Sequence, residues 1–144
     1  MNAEIVQLEN DIHLFCVKAD SFPEGVQAAH QRLTDVAREP MSRNYFGVSY
    51  LYDDQIVYMA AAEWKKDKEM FPEECDAYVL KKGAYISIHI TDFKKDPSSI
   101  GDAFKTLLED PRIDENGCCA EFYFPTGKNG ITAKDVRCMV RLAD

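Results

Sequence analysis

The chain has 144 residues, 46% of them hydrophobic and 11% aromatic, which suits one domain with its own core and excludes a disordered segment. Seventeen Lys and Arg against 25 Asp and Glu leave a net charge of −8, a field that repels phosphate backbones and excludes direct nucleic-acid binding. The pairs Lys65-Lys66, Lys81-Lys82 and Lys94-Lys95 each have an acid nearby and read as solvated faces. Nowhere do 18 apolar residues follow one another, and Met1 to Asn10 has neither the basic start nor the apolar run of an export signal, so no membrane contact is expected. Cys16, Cys75, Cys118, Cys119 and Cys138 form an odd set without Cys-x-x-Cys spacing, which fits a reducing compartment and a cytoplasmic location.

In chain order, the run Asp11 to Ala19 predicts a strand. Ser21, Pro23 and Glu24 open a helix whose apolar stripe is Val26, Ala29, Leu33, Val36 and Ala37, and Pro40 stops it. Tyr45 to Tyr52 and Ile56 to Trp64, separated by Asp53-Asp54-Gln55, predict a hairpin. After a charged stretch from Lys65 to Glu74 come a short strand at Ala77 to Leu80, a turn at Gly83 and an alternating strand from Tyr85 to Thr91. Pro97-Ser98-Ser99 opens a second helix carrying Ile100, Ala103, Phe104, Leu107 and Leu108, and Pro111 ends it. Cys118 to Phe124 and Val136 to Leu142 then form a second hairpin around a long loop.

A shift of 74 aligns Ile12 with Ile86, Pro23 with Pro97, Ala29 with Ala103, Leu33 with Leu107 and Val48 with Phe122; six extra residues in the last loop raise it to 80, pairing Tyr58 with Cys138. The expectation is one domain over 1–144, of α+β class, built from a duplicated β-α-β-β unit with halves at about 11–64 and 76–142. Both helices would cover one face of an antiparallel sheet, against Ile86, Ile88 and Ile90, then Ala120, Phe122 and Phe124, then Val136, Cys138, Val140 and Leu142. The opposite face would show His13, Phe15, Tyr45, Gly47, Met59, Ala61, Glu63, Tyr85, His89, Cys119, Glu121 and Tyr123, and a ligand pocket is expected there.

Glu121 is the leading site residue, because a mid-strand carboxylate is solvated, paired or used; a cross-strand pair with Arg137 or Arg141 is the structural alternative. Glu63 has the weaker claim of a strand end. Tyr45, Tyr85, Tyr123, Phe15 and Trp64 around one carboxylate would hold a flat or lipophilic cation, or they simply fill a core. His13, His30 and His89 lack metal-ligand spacing, so neither a metal nor another cofactor is expected. Cys119 with His89 suggests a nucleophile pair less readily than two packed side chains, and Gly127-Lys128-Asn129-Gly130 lacks the residues of a phosphate-binding loop.

With Tyr45-Phe46-Gly47-Val48-Ser49-Tyr50, Tyr58 to Glu63, Lys82-Gly83-Ala84-Tyr85 and Ala120-Glu121-Phe122-Tyr123, the chain resembles the GyrI-like small-molecule-binding family, the effector-binding domain of AraC-type and MerR-type bacterial transcription regulators. The likeness implies a duplicated fold with a pocket where a strand glutamate, here Glu121, meets hydrophobic cations beside Tyr123 and Tyr85, with Trp64, Tyr45 and Met59 as further walls. No helix-turn-helix flanks the pattern, so a stand-alone member is expected. Such members resemble ligand-sequestering proteins, gyrase inhibitors that act on a protein partner, or hydrolases of strained electrophiles in which Glu121 and Tyr123 would be catalytic. Binding is the first reading here, without enzymatic activity, and the hydrolase is the alternative.

Overall fold

Most of the strands follow from β-branched or aromatic runs bounded by turn residues. In the computed structural model, which describes residues 2–144, the order is β1 (Glu4–Leu8), β2 (Ile12–Lys18), α1 (Val26–Val36), β3 (Tyr45–Tyr52), β4 (Gln55–Glu63), β5 (Asp76–Leu80), β6 (Gly83–Ile90), α2 (Ser99–Leu108), β7 (Cys119–Phe124) and β8 (Asp135–Arg141). The β3–β4 turn is made by Asp53 and Asp54, whose φ angles of 55° and 63° give the doubly left-handed geometry that matches strand twist. Aspartate tolerates that region better than most side chains do.

All eight strands form one antiparallel sheet in the order β1-β6-β8-β7-β3-β4-β2-β5. Exchanging each strand of the first half for its counterpart in the second reverses that order onto itself, so the α+β duplication expected from the sequence is present as a pseudo-twofold. The structure adds β1, which the pattern of Glu4-Ile5-Val6-Gln7-Leu8 does not announce because this edge strand is largely exposed. The outer strands are exchanged: β1 pairs with β6 and β5 with β2. The connecting turns meet where the Asp11 carboxylate accepts the Lys82 backbone N–H at 2.8 Å. The sheet curls strongly enough to bring Tyr78 of β5 beside Cys118 and Tyr85.

Two cores result. On the helix side, Ala29, Leu33, Ala103 and Leu107 pack on Phe15, Ala60, Ala62, Ile86, Ile88, Val136, Cys138 and Val140. Inside the curl lie Leu14, Cys16, Phe46, Val48, Met59, Ala61, Tyr85, Ala120 and Met139. Both helices do lie on one face, α1 over β2 and β4 and α2 over β6 and β8.

Three strand faces are the reverse of the sequence expectation. Phe15, Tyr45 and Tyr123 belong to the helix-side core, whereas Ala120 belongs to the inner one, with Phe122 packed against it. The ladder register requires this. Tyr45 lies opposite Ala62, Gly47 opposite both Ala60 and Glu121, and Glu121 opposite Cys138, and residues opposite one another point to the same side. The pocket expected on the face away from the helices is accordingly found on the helix side.

Candidate functional site

Because each helix covers its own half, the central pair β3 and β7 is left between them, and a cleft of about 510 Å³ opens there. Its mouth is formed by the starts of both helices: Phe22, Pro23 and Val26 ahead of and within α1, Pro97 and Ile100 at α2. Its floor is Tyr58, Glu121 and Tyr123. Gly47 and Glu121 are repeat mates, 74 residues apart, and also direct partners in the ladder, so the carboxylate stands on the pseudo-twofold axis.

Glu121 is 9% exposed, and among the described residues it makes no salt bridge. Arg137 pairs with Glu4 instead, and Arg141 with Asp114 and Asp144, so the structural alternative for Glu121 fails. Two phenols converge on one carboxylate oxygen: Tyr58 donates to Oε1 at 3.3 Å and Tyr123 donates to the same atom. The phenols lie 3.0 Å apart. Oε2 accepts no hydrogen bond from the described residues. Burial pushes the carboxyl above its ordinary range while the two phenol donors pull it back, and burial comes first. The same burial, with Glu121 alongside, holds the phenols of Tyr58 and Tyr123 well above theirs.

Two members of this cluster escaped the sequence reading as ligand-site residues. Tyr58 figures in the sequence only as a repeat element and as the first residue of one resemblance string, and His30 only against a metal-ligand pattern. His30 Nε2 lies 2.8 Å from the Tyr58 hydroxyl, and its buried Nδ1 has no partner among the described residues. Burial lowers its pKa to about 4, so the imidazole is neutral. Unfolded chains take up that proton near pH 6.5, so stability is lost as pH falls from 6.5 through about 4. Between the two ends of the window, urea denaturation should show the wild type losing a few kcal/mol more than His30→Gln, the Glu121 contribution being common to both; equal slopes would disprove the assignment.

Glycine at 47 is what lets the cluster close. A Cβ there would stand 2.2 Å from the Tyr58 hydroxyl and 2.8 Å from Glu121 Oε1. Gly47→Ala is therefore expected to cost about 1–3 kcal/mol and to displace Tyr58, read by chemical denaturation; an unperturbed stability would show that the floor yields freely. The β7–β8 loop, site of the six extra residues, closes one side. Buried Asn129 donates to Thr34 Oγ1 of α1 at 2.7 Å, and a Cβ at Gly130 would meet His30 Nε2 at 2.5 Å. Phe22 tilts over Tyr58 at 5.9 Å between ring centroids, and Phe93 lies 6.1 Å from Tyr123. At the rim stand Glu24 and Lys94, and the Lys94 ammonium donates to the Ile131 carbonyl.

Of the six residues expected to contact ligand, the structure brings Glu121 and Tyr123 together in the cleft. Tyr85 and Met59 lie inside the curl, and the Tyr85 hydroxyl donates to Lys81 O. Tyr45 is buried on the helix side with its hydroxyl on Pro40 O, and Trp64 packs edge-on against Phe71. Alternation read strand by strand puts Tyr45, Tyr85 and Met59 on the Glu121 face; the register moves Glu121 away from Tyr85 and Met59, whereas Tyr45 stays on its side but turns its hydroxyl to Pro40, outside the cleft lining.

The chain matches no protein-family model and no curated protein sequence. It does match solved structures over nearly its whole length. SAV2435 bound to tetraphenylphosphonium superposes with a TM-score of 0.64 at 11% identity, covering 99% of this chain and 94% of that one. A protein ascribed to bacterial transcription regulation from Staphylococcus aureus MU50 gives 0.60 at 11%, covering 100% and 99%. A hydrolase from Listeria innocua gives 0.51 at 9%, covering 99% and 92%. At these identities the likeness establishes the fold alone. No helix among the described residues is long and apolar enough to cross a membrane.

Proposed function

We propose that this chain is a GyrI-like binding module of the cytoplasm that takes hydrophobic, cationic small molecules into the cleft between its helices, with Glu121 as their counter-charge. One observation carries the reading: a carboxylate on the floor of an aromatic-walled cleft has no cationic partner among the described residues. Burying an unpaired carboxylate costs several kcal/mol, and a lipophilic cation placed over Oε2 would offset that cost. Phe22, Phe93, Tyr58 and Tyr123 line the cleft and supply ring faces and edges to such a ligand. The fold shared with a tetraphenylphosphonium-bound protein supports this choice of probe.

Calorimetric titration with tetraphenylphosphonium, followed by recovery of the ligand, tests the proposal. One molecule bound per chain and recovered intact is the expected result. Absence of both heat and thermal shift would overturn it. A second reading rests on the phenols of Tyr58 and Tyr123, which set proton donors beside a carboxylate as general acid–base hydrolysis requires. Turnover of a strained electrophile by the wild type and not by Glu121→Gln would establish that reading instead.

A further inference from the structure

A cleft that is to receive a cation has to keep an unpaired acid electrically tolerable before the cation arrives. From the geometry we infer that the site is an exchange site: a proton held on the Glu121 carboxyl leaves when a lipophilic cation enters. This rests on the cation-binding reading above and adds to it what the cation replaces.

The groups around Glu121 leave few other ways to balance a charge. Tyr123 and Cys119 share its strand, Tyr58 comes from β4, Cys138 faces it from β8, and β3 offers only Gly47. From α1 comes His30, one hydroxyl away, and α2 contributes apolar Ile100. The charged groups nearest the mouth are Glu24 and Lys94, of opposite sign, and Lys94 is engaged by Ile131. None of these neighbours is a cation in contact with the carboxylate. Tyrosine and cysteine add only weak acids, all driven toward their protonated forms by burial. His30 is held neutral by the same cause. Glu121 is thus the group in the cluster whose proton is most readily given up, and burial already favours its neutral form.

The arrangement of donors fits the exchange. Both phenols serve Oε1, leaving Oε2 as the position that carries a proton in the empty cleft and faces the cation in the filled one. The step balances: the neutral carboxyl and a permanent cation become a carboxylate–cation pair, and one proton passes to solvent through the cleft mouth. A cation such as tetraphenylphosphonium has no proton of its own, so every proton counted comes from the protein.

Calorimetry of tetraphenylphosphonium binding in two buffers of different ionisation enthalpy, between about pH 5 and pH 8, counts the proton. The expected result is release approaching one proton per ligand at the acidic end, with affinity falling about tenfold for each pH unit lowered below the carboxyl's midpoint. Any residual binding by Glu121→Gln should release none. Binding with the same heat in both buffers and a flat pH profile would overturn the exchange while leaving the binding role intact. Proton release that persists in Glu121→Gln would overturn it by placing the proton elsewhere. Failure of the wild type to bind at any pH would remove both the exchange and the reading on which it rests.

Discussion

Replacing Glu121 by glutamine is expected to weaken tetraphenylphosphonium binding by roughly 100-fold or more, about 3 kcal/mol, because a buried charge pair loses one partner while the other is stripped of water. Shape and hydrogen-bonding capacity change little in this variant, so packing against Tyr58 and Tyr123 is retained. Stability should move the other way. With the native carboxyl raised above its ordinary value near 4.5, the folded state keeps its proton after the unfolded chain has lost it. Stability therefore falls as pH rises through this window, and the wild type carries the cost at higher pH. Glu121→Gln removes that slope and should be at least as stable as the wild type near pH 7. Affinity within about threefold of wild type, measured by calorimetry on the folded variant, would show that the cleft binds by its aromatic walls alone.

The largest effect on stability is expected at Arg43, far from the cleft floor. Its guanidinium is 1% exposed and donates to Arg38 O, to Glu63 O and to both carboxylate oxygens of Glu69, at 2.5 and 2.6 Å, over the Phe15 ring. Arg43→Met leaves the Glu69 carboxylate with the Lys65 backbone N–H as its remaining donor, takes the guanidinium from the Arg38 and Glu63 carbonyls, and should cost about 3–5 kcal/mol in urea denaturation. Lysine should not restore it, since one ammonium cannot serve the planar fork of acceptors. Adding Glu69→Gln should recover part of the loss. A cost below about 1 kcal/mol for Arg43→Met would place this pair with ordinary surface bridges.

The elements that pay for themselves locally were legible in the sequence. Pro23 and Pro97, the apolar stripes Ala29–Leu33 and Ala103–Leu107, and the paired aspartates at 53 and 54 each carry a local signal. Glu121 was legible as well, since a lone acid within Ala120-Glu121-Phe122-Tyr123 invites a question. What was hidden is relational. Alternation assumes that the polar side of a strand faces away from the helices, yet β7 places Glu121 and Tyr123 toward them because the helices do not meet over the axis. Only the pairing of Gly47 with Glu121, and of Glu121 with Cys138, settles that direction. Tyr58 and His30 were hidden for the same reason: each looks like an ordinary core residue until a glycine opens the space in which their polar atoms meet.

The pairing of Gly47 with Glu121 also bears on why two halves are worth joining in one chain. In a homodimer of identical halves, whatever occupies this axial position occurs twice at ladder-partner distance, so an acid there would confront a second acid. One proton would then be shared between two carboxyls, and a monovalent guest would leave a charge unbalanced. Covalent fusion lets the two copies of one position diverge: one keeps the carboxylate, and the other gives up its side chain entirely to make room. A single negative charge at a symmetric centre is available only to a molecule whose symmetry is incomplete.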